Sequence, residues 1–260
     1  MKIYLINLDR HPQRLARMEK LLDGLPFQRL AAVDGRMIDG LECRDHDRPM
    51  SSENLSRYDK SCVMSHRNVW SDFLAGPEKY ACVLEDDLYF SPNFTRFLLE
   101  DSWIPKAARL VKLETSGYPV LLSRKTEKCL DRSAAVLFSI HYGTAAYIIS
   151  REGAANLLAR TQIINSPADF LVFDVAALRL NHPVYQLYPA LCVQGTKLSN
   201  GIAFAEMQSA IQPAPVSKRK SRRQKFRLEI TRPFLQLAAA LNIFLKVKWL
   251  RARRVTVPFA

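Results

Sequence analysis

Apolar and polar positions along this chain fall into blocks whose length and period separate strands from helices. Lys2 to Leu8 is a strand-like apolar run. His11-Pro12 then opens a stretch in which Leu15, Met18, Leu21 and Leu22 recur on one helical face until Gly24 stops it. Phe27 to Val33 reads as a second strand ending in the turn signal Asp34-Gly35. Residues 36 to 57 are polar and irregular, the pattern of a long surface loop, and loops of that length are often functional. Ser61 to Leu74 is expected to be helical and closed by Gly76-Pro77, and the continuous apolar run from Tyr80 to Leu84 reads as a buried central strand that ends abruptly in Glu85-Asp86-Asp87.

Further strands are expected at Arg109 to Leu113, Pro119 to Ser123, Ala134 to Ile140 and Thr144 to Ile149. Helices are expected from Glu152 to Ala159 with Ser150 as N-cap, and from Pro167 to Leu180 with Ser166 in that role. This alternation implies an α/β fold with a mixed, mostly parallel sheet. No internal repeat is present.

Composition changes the picture in one respect. The 260 residues include 38 Lys+Arg and 25 Asp+Glu, a net charge of +13, with 48% hydrophobic residues and only 9 Gly. That excludes a disordered or collagenous chain. The charge is not spread evenly. From Ser217 onward there are 13 basic residues and one acid, Glu229, whereas residues 1–216 hold 25 basic and 24 acidic residues. A nearly neutral body argues against a nucleic-acid partner, which would call for a basic stripe over the fold.

Two regions follow, a folded domain over 1–211 and a basic amphipathic tail over 212–260. In the tail, Ser217 to Arg227 carries seven basic residues in eleven, and Pro233 to Leu245 is charge-free. Thirteen residues are too few to span a bilayer but enough to lie in its interface, with Phe234, Leu241, Phe244, Leu245 and Trp249 entering the acyl boundary and Lys/Arg meeting anionic headgroups. The competing reading is a helix that docks on the body. The five cysteines never form a CxxC pair, and the N-terminal apolar run is too short for a secretory signal. Both point to a cytoplasmic protein, and the tail adds the expectation that it is held peripherally at the inner face of the cell membrane.

The strongest chemical feature is Glu85-Asp86-Asp87. Three adjacent carboxylates after a buried strand repel one another unless a cation or hydrogen bonds compensate. In open α/β sheets ligands sit beyond the carboxyl ends of the strands, and a hard divalent ion completed by substrate phosphates fits both facts. A solvated acidic turn is the plain alternative. Asn7, Asp9 and Arg10 leave the first strand at the same edge, where a surface ion pair is the plain reading for Arg10 or Arg14.

Ile6-Asn7-Leu8-Asp9-Arg10 with Arg14, Ala31 to Gly35, Cys62 to His66 with Trp70, and Val83 to Asp87 resemble glycosyltransferase family 25, the bacterial lipooligosaccharide galactosyltransferases and their collagen-modifying relatives. Tyr142 to Ser150, Gly153-Ala154, Pro167-Ala168-Asp169 and Pro189 to Gln194 continue the similarity in order, over residues 1 to about 200. The resemblance implies a GT-A-like (Rossmann-like) fold and inverting, metal-dependent transfer from a UDP-sugar, most often UDP-galactose, to a lipooligosaccharide or other glycolipid acceptor.

It also implies site residues. Asp87 is the first-choice ligand for Mn2+ or Mg2+, with Glu85 either a second ligand or a ribose contact. Asp169 is the candidate base, with Asp86 counted beside it as catalytic and Asp174 as runner-up; an Asp in a first helical turn is equally what a helix dipole favours. Asn7, Asp9, Arg10, Arg14, Asp34, His66 and Glu85 are assigned to the donor. Asp34 also fits an ordinary Asp-Gly turn, and His66 a hydrogen-bonded structural role. Gln194 and Ser199 are possible further contacts, Gln194 towards the acceptor. A metal-dependent nuclease or phosphohydrolase and a non-catalytic membrane adaptor are the alternatives.

Overall fold

The apolar run at the start of the chain becomes the strand beside which the N-terminal part of the sheet is laid down. A computed structural model describes residues 1–38, 55–173, 183–197 and 251–260. In chain order its elements are β1 (Lys2–Asn7), α1 (Pro12–Leu21), β2 (Phe27–Ala31), α2 (Arg57–Ala75), β3 (Tyr80–Glu85), β4 (Leu88–Phe90), α3 (Phe94–Leu99), β5 (Leu110–Lys112) and β6 (Glu114–Thr115). Then follow β7 (Pro119–Cys129), β8 (Arg132–Leu137), β9 (Ala146–Ser150), α4 (Arg151–Arg160), α5 (Ala168–Phe173), β10 (Val184–Tyr188), β11 (Cys192–Gln194) and β12 (Ala252–Thr256).

The main sheet has the order β12-β7-β8-β10-β5-β9-β3-β1-β2, and a small second sheet has the order β4-β11-β6. The main sheet is mixed. Its parallel joints are β2 with β1, β1 with β3, and β5 with β10. The parallel order expected from strand–helix alternation holds where a helix makes the crossover, as α1 does between β1 and β2. It gives way to antiparallel pairing at β9, which enters between β3 and β5, and in the β7–β8 hairpin.

Successive side chains of β1 serve opposite faces. Ile3 and Leu5 join Met18, Leu22, Cys82 and Leu84 on one side, and Tyr4 and Ile6 join Val69, Trp70, Phe73 and Val83 on the other. That is why β1 and β3 read as unbroken apolar runs: a strand covered on both faces has no polar side. Helix α1 supplies the first layer, and α2 packed with α4 the second.

Helix starts follow local capping. Ser56 caps α2 in a full capping box with Asp59, so the helix begins before the Ser61 expected from periodicity. Ser150 caps α4 by accepting from the Gly153 N–H, as expected. Helix α5 covers Ala168–Phe173; the remainder of the expected helix to Leu180, with Asp174, lies outside the described residues, as do Ser199 and tail residues 212–250. Strand β7 runs past Ser123 to Cys129 because its exposed polar half pairs with β8, a bond pattern that needs no apolar signal.

One part of the tail assignment is corrected. Residues 252–256 form an edge strand antiparallel to β7, Ala252 opposite Ser123 and Thr256 opposite Pro119. Beyond it Val257 is buried, its carbonyl accepts from Thr115 Oγ1 at 2.7 Å, and Arg132 donates to the Ala260 carbonyl. The chain end therefore belongs to the body, because β7 offers an unpaired edge that a strand can cover. No helix among the described residues is long and apolar enough to cross a membrane. Removing residues 251–260 is expected to cost at least about 2 kcal/mol, roughly the worth of burying one Val side chain. Urea unfolding checks this, and an unchanged midpoint would contradict the assignment.

Candidate functional site

Strands β1, β2 and β3 run parallel, so Asn7, Val33 and Glu85 emerge together at their carboxyl ends. There a pocket opens, lined among others by Arg10, Arg14, Val33, His66, Glu85, Asp86, Asp87 and Gln194. Most of the residues assigned from sequence are thus brought together, but the three carboxylates meet different partners.

Asp86 is buried, and both its oxygens are engaged. Asn7 Nδ2 donates to Oδ2 at 2.6 Å, and Arg14 NH1 to Oδ1 at 3.0 Å. This carboxylate ties the end of β1 and the start of α1 to the turn after β3. Its geometry suits an anchor. Arg17 reinforces the turn by donating to the Leu88 carbonyl at 2.6 Å and lying over the Tyr89 ring at 4.3 Å.

Glu85 is half-buried and accepts on Oε1 from Thr144 Oγ1 at 2.9 Å, with His66 Nε2 at 3.2 Å from the same oxygen. The tautomer of His66 follows from a chain of partners. The Trp70 indole can only donate, and its Nε1–H reaches the Tyr147 hydroxyl at 2.8 Å. The Tyr147 proton is then free for His66 Nδ1, 3.0 Å away, which leaves the ring proton on Nε2, facing Glu85. Burial opposes the charge on Glu85, but the His66 and Thr144 hydrogen bonds and the charge of Lys112 outweigh it and hold the pKa below the ordinary value.

Asp87 differs. It is buried, and its side chain meets the amide of Gln194, at 3.2 Å from Oδ2. Burial, then the charges of Glu85 and Asp86, push its pKa up to about 7. Gln194 is therefore placed against Asp87, and the Gly195 N–H fixes the Asp87 carbonyl at 2.9 Å.

Other assigned residues scatter. Asp9 is exposed, pairs with Arg29 from β2 and is not among the pocket-lining residues. Arg10 lines the pocket and pairs with Asp34, which is not among the lining residues. Asp169 is not among the pocket-lining residues. Its carboxylate accepts from the Gly143 N–H at 3.3 Å, and burial pushes its pKa up against that bond. Sequence reasoning passed over Thr144, Tyr147 and the buried pair of Lys112 and Glu114. Lys112 Nζ donates to Glu114 Oε1 at 2.8 Å and to the Gly143 carbonyl, and lies over the Phe173 ring at 4.2 Å. A lysine inside the apolar run of β5 was the available signal.

Two donor sets could hold a cation. Cys62, His66 and Glu85 offer ligand atoms within 4.8 Å of one another, the group of this kind among the described residues. His66 Nε2 carries a proton toward Glu85 there, which must leave before a metal can bind. Asp87 fits a hard ion better: a buried carboxylate destabilised by two neighbouring negative charges is what a divalent cation relieves, with Glu85 beside it in the same pocket.

With the geometry in place, comparison with known proteins gives the family. The model of glycosyltransferase family 25 (LPS biosynthesis protein) matches residues 1–172, and the chain belongs to that family. It is 34% identical over 181 residues to the lacto-N-neotetraose biosynthesis glycosyltransferase LgtB of Neisseria meningitidis serogroup A, covering 65% of this chain and 62% of that protein. It is 28% identical over 216 residues to the lipooligosaccharide biosynthesis protein lex-1 of Haemophilus influenzae, covering 78% and 70%. The match thus spans a little over three fifths, 62%, of the length of the first of these relatives. A solved glycosyltransferase involved in glycosylation of the PBCV-1 major capsid aligns over 75% of this chain and 94% of that one, at 11% identity and a TM-score of 0.40.

The raised pKa of Asp87 has a stability consequence. An unfolded Asp loses its proton near 3.9, whereas Asp87 in the fold holds it to about 7. Between those values the unfolded chain binds fewer protons, so Asp87 erodes stability as pH rises, and the whole penalty is present above the folded value. Asp87→Asn should therefore stabilise the metal-free protein by on the order of 4 kcal/mol at about pH 8 and by little at about pH 4. Unfolding in EDTA at the two pH values tests this, and a pH-independent difference would refute it.

Proposed function

We propose that the chain is an inverting, metal-dependent hexosyltransferase that moves galactose from UDP-galactose to a lipooligosaccharide-type glycan acceptor. The observation that carries this reading is the meeting of Arg10, Glu85 and Asp87 in one pocket at the carboxyl ends of three parallel strands, within a chain of glycosyltransferase family 25. The names of the Neisseria and Haemophilus relatives support the acceptor class. The run β2-β1-β3, with β9 inserted antiparallel beside it, supports a GT-A-like arrangement.

In this reading the acceptor hydroxyl attacks the anomeric carbon, the new C–O bond forms as the bond to UDP breaks, and the leaving electron pair settles on the diphosphate. Arg10, released from Asp34, meets that charge. A Mn2+ or Mg2+ ion held by Asp87 and Glu85 would supply Lewis-acid stabilisation worth several kcal/mol. The Trp70–Tyr147–His66 chain keeps Glu85 charged and oriented, with Oε2 left over for the donor or ion. Asp169, with its pKa raised by burial, takes the acceptor proton. Asp87→Ala is expected to lower UDP-galactose turnover by roughly a thousandfold, the scale of losing one strong transition-state charge contact. A nucleotide-sugar screen with Mn2+ or EDTA, read by UDP release, checks both donor and metal. Turnover unchanged by Asp87→Ala or by EDTA would sink the metal role.

We also propose peripheral attachment at the inner face of the cell membrane, through the basic and apolar sequence of residues 217–250. The chain lacking 212–250 but keeping 251–260 should lose sedimentation with anionic liposomes. Equal sedimentation of both forms would end this reading.

A further inference from the structure

Two of the large aromatic side chains left exposed, Tyr118 and Tyr142, touch each other. Their ring centroids lie 5.9 Å apart at 77°, and Tyr142 meets half-buried Phe170 at 6.0 Å and 60°. Tyr142 is 48% exposed and Tyr118 54%, so the cluster does not fill a core. Contiguous exposed apolar surface is a feature of interaction and ligand-binding sites.

The cluster is joined to the donor pocket by two short segments. Tyr142 precedes Gly143, whose N–H donates to Asp169, and Thr144, whose hydroxyl donates to Glu85. At most roughly 7 Å of backbone separates Tyr142 from Thr144. From the other side, the Gly195 N–H holds the Asp87 carbonyl, and two residues later Lys197 Nζ lies 5.7 Å over the Tyr118 ring. The aromatic corner is thus linked through Thr144 to Glu85 and through Gly195 to Asp87, and Asp169 lies between Phe170, its chain neighbour, and the Gly143 turn.

We propose that Tyr118, Tyr142 and Phe170 form the platform on which the acceptor's terminal hexose stacks, with Asp169 and Lys197 at its rim. The proposal rests on the transferase reading and adds the place and chemistry of the acceptor. A pyranose has an apolar C–H face and a hydroxyl edge. Aromatic faces set at steep angles make a corner for the first, and the phenol hydroxyls, a carboxylate and an ammonium serve the second. An acyl chain would call for a groove without such a polar rim.

Saturation-transfer NMR on the full chain with UDP tests this, using methyl hexopyranosides as probes and sodium decanoate as the acyl comparison. Ring C–H protons of at least one hexoside should receive saturation. Tyr142→Ala should weaken that binding roughly tenfold, about the worth of one aromatic contact, and Tyr142→Trp should restore it. Tyr118→Ala should weaken it in the same direction, with melting temperatures confirming that each variant is folded. No transfer to any hexoside, unchanged binding in Tyr142→Ala, or transfer to decanoate alone overturns the platform. UDP affinity measured by calorimetry on the wild-type chain separates the two readings: its absence defeats the transferase assignment, whereas UDP binding without a Tyr142 effect defeats the platform only.

Discussion

Three consecutive carboxylates at the end of a strand buried on both faces cannot share one environment, and the elements around β3 are arranged so that each is treated differently. Asp86 takes an amide and a guanidinium from the end of β1 and from α1. Glu85 takes a hydroxyl and an imidazole from the turn before β9 and from α2. Asp87 is left with the amide of Gln194 and keeps an elevated pKa. Breaking a buried ion pair by removing one partner typically costs 3–5 kcal/mol, so the Asp86 contacts hold β1, α1 and β3 in register. The unrelieved repulsion falls on Asp87, whose pKa burial and its two neighbours raise.

A second buried charge supports the other side of the site. Lys112 and Glu114 sit almost wholly out of solvent and between them fix the turn at 142–145: Lys112 donates to the Gly143 carbonyl, and Glu114 accepts from the Ala145 N–H at 2.7 Å. Gly143 has φ +90, and a Cβ there would lie 3.1 Å from the Glu114 carboxylate, so only glycine follows this path without strain. The turn in question carries Tyr142 outward, the Gly143 N–H to Asp169 and Thr144 to Glu85. A rigid ionic strut beneath a short turn links the aromatic corner, the candidate base and the pocket without long flexible connections.

Much of the central fold was legible from local pattern. Runs covered on both faces, as in β1 and β3, announce themselves as unbroken apolar stretches, and α4 with its Ser150 cap follows from side chain and backbone a few residues apart. Short strands such as β6 and β11 carried no such signal, since two or three residues hold no period. The exposed half of β7 and the docking of β12 were hidden for a related reason: strand pairing is made by backbone groups, which every sequence possesses. The acidic triplet, Arg10 and Gln194 line one pocket, while Asp9 pairs with Arg29 outside it and Gln194 meets Asp87.

By itself the sequence determined the α/β character, the family resemblance, the two-part charge distribution and the position of the carboxylates at a strand end, because these depend on neighbours in the chain. Only the tertiary structure decided which carboxylate is anchored, which is held ionised and which is left protonatable. Those outcomes turn on contacts between residues 79 and 72 apart, such as Asn7 and Arg14 with Asp86. Charge interactions depend on distance through space and on the loss of water, and neither quantity is written in the order of the residues.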